Sequence, residues 1–260
     1  MSDIHTPKSD LLFAGKHILV TGGSRGIGLE VSKAFAKAEA KVIIAYRSNL
    51  QKAEEALQSL DGSGHMITSC DVADAHQVKN LFEQIKGAYG SLDVAVNNAG
   101  MGYHHPVDQS SYQDWQSGWN QIIGTNLLGP ANVSYQAAQL MIQQGHGRII
   151  NISSRGAYRG EPEQPAYGAS KAGLNSFTQS MAQRLAPYGI FVGALAPGFV
   201  ETDMAYDRLQ GLPGDKIRSQ SPMNRVAQPE EVAQAVLLMA AANDWMTGGI
   251  WDINGASYLR

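Results

Sequence analysis

The sequence predicts an α/β fold, a seven-stranded parallel sheet with helices on both faces, and three observations carry that reading. Short apolar runs bounded by Gly, Asn or Asp alternate with longer stretches of helical periodicity, the pattern of repeated βαβ units. Most of the runs are rich in β-branched residues and lack polar alternation, as strands buried on both faces should be. A glycine-rich turn joins the first run directly to the first helical stretch.

In chain order, strand 17–21 leads into helix 26–38, strand 41–46 into helix 51–60, and strand 65–70 into helix 75–88. Strand 92–96 precedes one long helix over 113–143, and strand 148–153 precedes a helix over 165–186. Strand 190–195 is followed by an irregular stretch, then helix 229–241 and strand 250–253. Pro165 and Pro229 stand where a first-turn proline is tolerated, and Pro187 marks a stop. The stretch 201–227 breaks the rhythm with Gly211, Pro213, Gly214 and Pro222 and is expected to be a mobile lid over substrate, since long irregular connections in compact domains often serve that purpose. No repeat, linker or low-complexity block divides the chain, so one domain over 1–260 is expected.

Composition narrows the function classes. With 43% hydrophobic and 17% charged residues among 260, disorder, collagen-like repeats and disulfide scaffolds fit poorly. A net charge of −3 gives no electrostatic footprint for nucleic acid or an anionic membrane, which leaves a small-molecule partner. The single cysteine, Cys70, lies in an apolar run and is expected to be a buried structural thiol, suiting a reducing compartment. Residues 11–13 offer too short an apolar run for a signal peptide, and no later run approaches membrane-spanning length. A cytoplasmic location is expected.

The turn after the first strand reads Thr21-Gly22-Gly23-Ser24-Arg25-Gly26-Ile27-Gly28. Glycines there permit a tight turn and let a pyrophosphate approach backbone N–H groups at a helix N-terminus. A tight turn without a ligand would need the same residues. Further along, Tyr167 and Lys171 stand four apart on a predicted helix and share a face. Carbonyl chemistry needs an acid that protonates oxygen as hydride reaches carbon, and an ammonium beside a phenol favours the phenolate. That spacing alone is commonplace on helices. Ser154 ends the strand Ile149-Ile-Asn-Ile152, thirteen positions before Tyr167.

Together these motifs resemble the short-chain dehydrogenase/reductase family, a doubly wound Rossmann fold, over about 13–254. The Gly-x-x-x-Gly-x-Gly spacing, Asn97-Asn98-Ala99-Gly100 after the fourth strand, and Pro197-Gly198-Phe-Val-Glu-Thr202 carry the resemblance. It implies a catalytic set of Asn126, Ser154, Tyr167 and Lys171: the tyrosine as acid or base, the serine at the reacting oxygen, the lysine on the ribose, and the asparagine holding a relay water. It also implies NADP contacts from Gly22, Ser24, Arg25, Gly26, Ile27 and Gly28, from Tyr46, Arg47 and Ser48, from Asp71 and Val72, and from Asn98, Ala99 and Gly100. Tyr167, Lys171, Pro197, Gly198, Val200 and Thr202 complete the cofactor set. The residue where NAD-preferring folds place an acid is Tyr46, and Arg25 and Arg47 bring guanidiniums suited to a 2′-phosphate, so NADP(H) is expected.

Within the family the chain looks most like β-ketoacyl-carrier-protein reductases, yet Gly145 and Tyr188 stand where bacterial members present basic residues to the carrier. The substrate is therefore left as a carbonyl compound or an alcohol, including a sugar alcohol; a non-catalytic NADP-binding sensor or scaffold would be marked by loss of Tyr or Lys, and both are present. A homotetramer is implied by resemblance. His104-His105 lacks further ligands at metal spacing, so no metal is expected; a pocket wall and a solvated loop are equal readings for the pair. Trp115 and Trp119 suit core or subunit packing. Arg155 and Arg159 could hold an anionic substrate, with ion pairing to Glu161 or Glu163 the favoured alternative.

Overall fold

The structure, a computed structural model, describes residues 12–203 and 205–260. The N-terminal residues 1–11, on which part of the signal-peptide reading rests, and Met204 within the expected lid lie outside the described residues.

Seven parallel strands form one sheet in the order β3-β2-β1-β4-β5-β6-β7. They are β1 (His17–Thr21), β2 (Lys41–Tyr46), β3 (Met66–Ser69), β4 (Val94–Asn97), β5 (Gly147–Ile152), β6 (Ile190–Pro197) and β7 (Ile250–Ile253). Neighbouring residues of one strand face opposite layers: Ile18 and Val20 pack with Val31 and Phe35 of α1 (Gly26–Lys37), while Leu19 joins the other layer. The buried runs lack polar alternation because helices cover both faces.

Between β2 and β3 runs α2 (Leu50–Gln58), started by the Asn49 side chain accepting from the Lys52 N–H. Asp74 does the same for α3 (Ala75–Tyr89), which ends at Gly90 in a left-handed conformation. Helix α9 (Pro229–Ala240) shares the layer of α1. The chain builds outward from β1 to β3, then crosses back to lay β4 on the other side of β1, creating a crevice at the carboxyl ends of these two strands.

The long helix expected over 113–143 is interrupted. It forms α4 (Tyr112–Ile123) and α5 (Gly129–Gln144), joined without a break in direction by a π-helical turn, Gly124–Leu128. Pro130 brings no N–H for the carbonyl an α-helix would pair it with, and the Gly129 N–H instead reaches the Gly124 carbonyl five residues back. After β5 come a single turn, α6 (Gly156–Arg159), and α7 (Pro165–Leu185).

The stretch after β6 is more structured than its Gly and Pro content suggests. It contains a short 3₁₀ turn, Asp207–Leu209, and an eight-residue helix, α8 (Gly211–Arg218). Pro213 falls in the first turn, where its missing N–H is harmless. Ala205, Leu209 and Val226 form a small core of their own against Phe199 and Ile217. Parallel bridging of Val200 with Ala227 ties the two ends together, so the segment is a flap with a closed base. Among the described residues no helix is long and apolar enough to cross a membrane.

Candidate active site

Every residue of the expected site comes from the carboxyl edge of the sheet or the helices beside it. After β1 the chain turns at Gly22 with φ +64°, a left-handed conformation that side chains with a Cβ resist. A Cβ on Gly28 would overlap the Gly22 carbonyl oxygen and the Asn98 side-chain amide. Ser24, Arg25, Gly26 and Ile27 lie on this turn and its entry into α1, whose N-terminal N–H groups are suited to an anion.

Asn98 does something the sequence did not disclose. Its Nδ2 donates to the carbonyl oxygens of Thr21 at 2.9 Å and Gly22 at 3.1 Å, so its side chain braces the glycine turn. Thr21 reciprocates: its Oγ1 accepts from the Asn98 N–H at 3.1 Å and the Ala99 N–H at 3.0 Å. Asn98-Ala99-Gly100 is thereby locked against the first turn across the switch point. Asp71 folds over its own turn, its Oδ1 accepting from the Ala73 N–H at 3.0 Å, and Val72 is buried against Gly129. Tyr46 ends β2 half-buried, followed by exposed Arg47 and Ser48. Arg25 is likewise exposed, and among the described residues neither arginine has a carboxylate within 4.0 Å.

On the other side of the crevice, Ser154 follows β5 and is buried, its Oγ accepting from the Gly156 N–H at 3.0 Å. Tyr167 and Lys171 project from the first turns of α7. The Lys171 Nζ donates to the Ile152 carbonyl at 2.7 Å and lies 5.7 Å from the Tyr167 ring centroid. Burial pushes the Lys171 ammonium down to about 8. Burial also pushes the Tyr167 phenol up, while the Ser154 hydroxyl and the more distant Arg208 favour its ionised form.

Asn126 occupies the π turn, fully buried, and grips the Met101 backbone from both sides: Oδ1 accepts from its N–H at 2.9 Å and Nδ2 donates to its carbonyl at 2.9 Å. Its Nδ2 also lies 3.3 Å from the Ser170 hydroxyl, joining the π turn to the helix of Tyr167 and Lys171. Pro197 and Gly198 cap β6, with Gly198 pressed against the Asn254 backbone; Val200 is buried, and the Thr202 side chain would meet a Cβ on Gly26 at 3.4 Å. Thr202 thus brings the start of the flap to the glycine turn.

The family model described as short chain dehydrogenase matches residues 16–212, which takes in this whole constellation. The chain belongs to the short-chain dehydrogenase family. As an oxidoreductase of that family it is similar to 3-oxoacyl-[acyl-carrier-protein] reductase FabG of Staphylococcus aureus, 35% identical over 247 residues covering 94% of this chain and 98% of the relative. FabG of Escherichia coli is 35% identical over 252 residues, 95% and 99% of the two chains. Carbonyl reductase family member 4 of Xenopus laevis is 36% identical over 241 residues, 93% and 97%. Among solved structures, the crystal structure of gox2181 superposes with a TM-score of 0.88 at 29% identity, covering 96% of this chain and 98% of that one.

In this short-chain dehydrogenase the remaining sequence expectations resolve unevenly. His105 is neither a pocket wall facing solvent nor a solvated loop residue. It is fully buried, its Nδ1 2.6 Å from the Tyr103 carbonyl and its Nε2 accepting from the Ala166 N–H at 3.4 Å, so it serves the open N-terminus of α7 just ahead of Tyr167. His104 is exposed beside Glu163, 3.0 Å away. Trp115 packs on His105 and on Trp119. Cys70 is buried and its thiol is pushed up to about 11. The favoured ion pairing of Arg155 and Arg159 with Glu161 or Glu163 does not form within 4.0 Å: both guanidiniums donate instead to the Gln220 side-chain oxygen, and Glu163 stands beside His104.

Proposed function

We propose that this enzyme reduces a ketone to an alcohol with NADPH, or runs the reverse reaction, with Tyr167 as general acid or base. The observation that carries the reading is the convergence of Ser154, Tyr167 and Lys171 on one side of the crevice that the glycine turn opens on the other. The Ser154 hydroxyl donates to the reacting oxygen and the Tyr167 phenol moves its proton. Hydroxyl donors aimed at a developing alkoxide lower the barrier to its formation. Lys171, tied to β5, binds the ribose hydroxyls and favours the phenolate. Asn126 fixes the Met101 backbone and holds the proton-relay water. NADP supplies the hydride when bound. Purified protein should oxidise NADPH when given ketones, ketoacyl thioesters or keto-sugars; no turnover across such a panel, or of the matching alcohols with NADP, would refute the reading.

The residues present suit NADP. The turn at Gly22 to Gly28 is held tight by glycines whose Cβ atoms would press on Ala99, Asn98, Val20 or the Gly22 carbonyl, which keeps the backbone N–H groups at the start of α1 close for a pyrophosphate, and two exposed cations without acidic partners among the described residues flank it. Losing one charge-assisted contact costs about 1.5–3 kcal/mol, which sets an expected NADPH preference of at least about tenfold in kcat/KM. Arg47→Ala should weaken NADPH binding far more than NADH binding, and Tyr46→Asp should move the enzyme toward NAD. Equal kcat/KM for the two cofactors in the unmodified protein would show the arginines to be idle.

A free carbonyl substrate is favoured over a carrier-bound one. Gly145 and Tyr188 lie side by side at the amino edge of β5 and β6, where a Cβ on Gly189 would press on the Gly145 carbonyl, and they offer no cation. Small molecules are the expected partners, with a cytoplasmic setting. The segment 201–227 acts as a lid hinged at its bridged base. Hydrogen exchange across α8 should slow when NADPH and a substrate analogue are added, and equal protection with and without them would exclude closure. The chain assembles as a homotetramer through the stretch 113–143, where Leu128 of the π turn and Tyr135 of α5 stand exposed, packed with α7 across one interface, and through the β7 side, where Leu238 of α9 and Trp245 stand exposed, at another. Sedimentation should give four times the chain mass; a stable monomer at micromolar concentration would overturn the assignment.

A further inference from the structure

We propose that the cavity between the base of the flap and the C-terminal tail binds a small monocarboxylate with a compact apolar body, anchored by Arg155. The cavity measures ≈ 220 Å³ and is walled mainly by Phe199, Ile217, Val226 and Ile253, with Arg155 and Ser257 among its lining residues. None of Ser154, Tyr167, Lys171 or the glycine turn lines it, so this is a second site and not an extension of the catalytic crevice.

Arg155 is the reason the cavity calls for an anion. Only 3% of the residue is exposed, and among the described residues no carboxylate lies within 4.0 Å of its guanidinium. Among the described residues the one side-chain hydrogen bond of Arg155 goes to a neutral acceptor, the Gln220 side-chain oxygen. Arg159 donates to that same oxygen at 3.3 Å, which brings a second positive charge rather than a negative one. Phe199, whose ring centroid lies 5.1 Å from the guanidinium carbon, offers only its π face. A buried charge is ordinarily paired or strongly hydrogen-bonded, and here most of the five donors have no acceptor among the described residues. Burial and Arg159 both pull the guanidinium below its ordinary proton affinity, and Glu161 alone opposes them.

The other polar groups around the cavity narrow the ligand. Arg225 is already committed to a two-pronged pair with Glu231, at 2.7 Å on each arm, and the Ser221 hydroxyl donates to the Gly255 carbonyl at 2.6 Å. The Ser257 hydroxyl oxygen, by contrast, is buried without any partner. A guanidinium with donors left over beyond the one given to Gln220, and a hydroxyl without a partner, match the two oxygens of a carboxylate, whereas a phosphate dianion would need more positive charge than the cavity holds. The apolar walls take the rest of the molecule. Because Ile217 and Val226 belong to the flap and Ser257 to the tail, a bound carboxylate would staple the two together.

Calorimetric titration of the full chain with benzoate, using benzamide as the uncharged isostere, tests the assignment independently of any activity. Saturable binding of one benzoate per chain is expected, with benzamide weaker by at least about tenfold, the scale of one charge-assisted hydrogen bond. Arg155→Met should lose the benzoate site. Ser257→Leu, which fills the cavity from the tail and leaves the sheet untouched, should lose it too, and so guards against misfolding of the first variant. No saturable binding, equal affinity for benzamide, or unchanged benzoate binding in Ser257→Leu would each overturn the proposal.

Discussion

Tyr167→Phe is expected to lower kcat by about 10²–10⁴-fold, the usual contribution of a positioned general acid, while leaving the Kd for NADPH within about twofold. The substitution removes only the phenolic oxygen. The ring, which packs near the Lys171 ammonium, is retained, as is the Lys171 bond to the Ile152 carbonyl that holds the helix to the sheet. Turnover measured under NADPH saturation, with cofactor binding followed by fluorescence, separates the two effects. Near-normal turnover in the variant would remove Tyr167 from the chemistry and with it the proposed mechanism.

The second large effect is expected at Gly28. An alanine Cβ there would overlap the Gly22 carbonyl and the Asn98 amide, and both are held in place by the brace between the first and fourth strand ends. Neither neighbour is the free end of a flexible side chain. Relief must come from moving the turn itself, so the overpacking cost, typically about 1–3 kcal/mol, falls on the cofactor cradle. Gly28→Ala should weaken NADPH binding by about 5–150-fold, and Gly28→Val by more. Gly87→Ala is the matched control: it lies in the interior of α3 with open space where its Cβ would go, and it should leave binding unchanged and raise stability by about 0.5–1 kcal/mol. If both alanine variants bind NADPH normally, the turn does not form the cradle.

The sheet was legible because burial on both faces leaves a signature within each strand: Val42-Ile-Ile-Ala45 and Ile149-Ile-Asn-Ile152 have no polar alternation to confuse with a surface strand. The glycine turn and the Tyr167/Lys171 pair were legible because their chemistry depends on spacing within one short segment. What depends on segments distant in sequence was not. The brace from Asn98 to Thr21 spans 77 positions, and the His105 contact to the α7 N-terminus spans 61. The same holds for Arg155, whose partner Gln220 is 65 positions away and displaced the nearer acids that charge alone favoured. Helix α8 was hidden for a different reason: Gly211, Pro213 and Gly214 read as breakers, and only docking of Leu209 and Ile217 against Val226 and Phe199 stabilises a turn that propensity opposes.

The π turn between α4 and α5 has a consequence for how this protein can change over time. It holds one residue more than a regular helix of the same span would need, and the surplus is what aims Asn126 inward at Met101. Deleting a single residue from Gly124–Leu128 would rotate every preceding side chain by about 100° relative to those after it, and Pro130 would still leave one carbonyl without its helical donor. A change of length here would therefore dismantle the site from within and gain no regular helix in exchange. Substitutions that keep five residues between α4 and α5 leave that aim intact, so the length of the turn, more than its composition, is what descent must preserve for the site to persist.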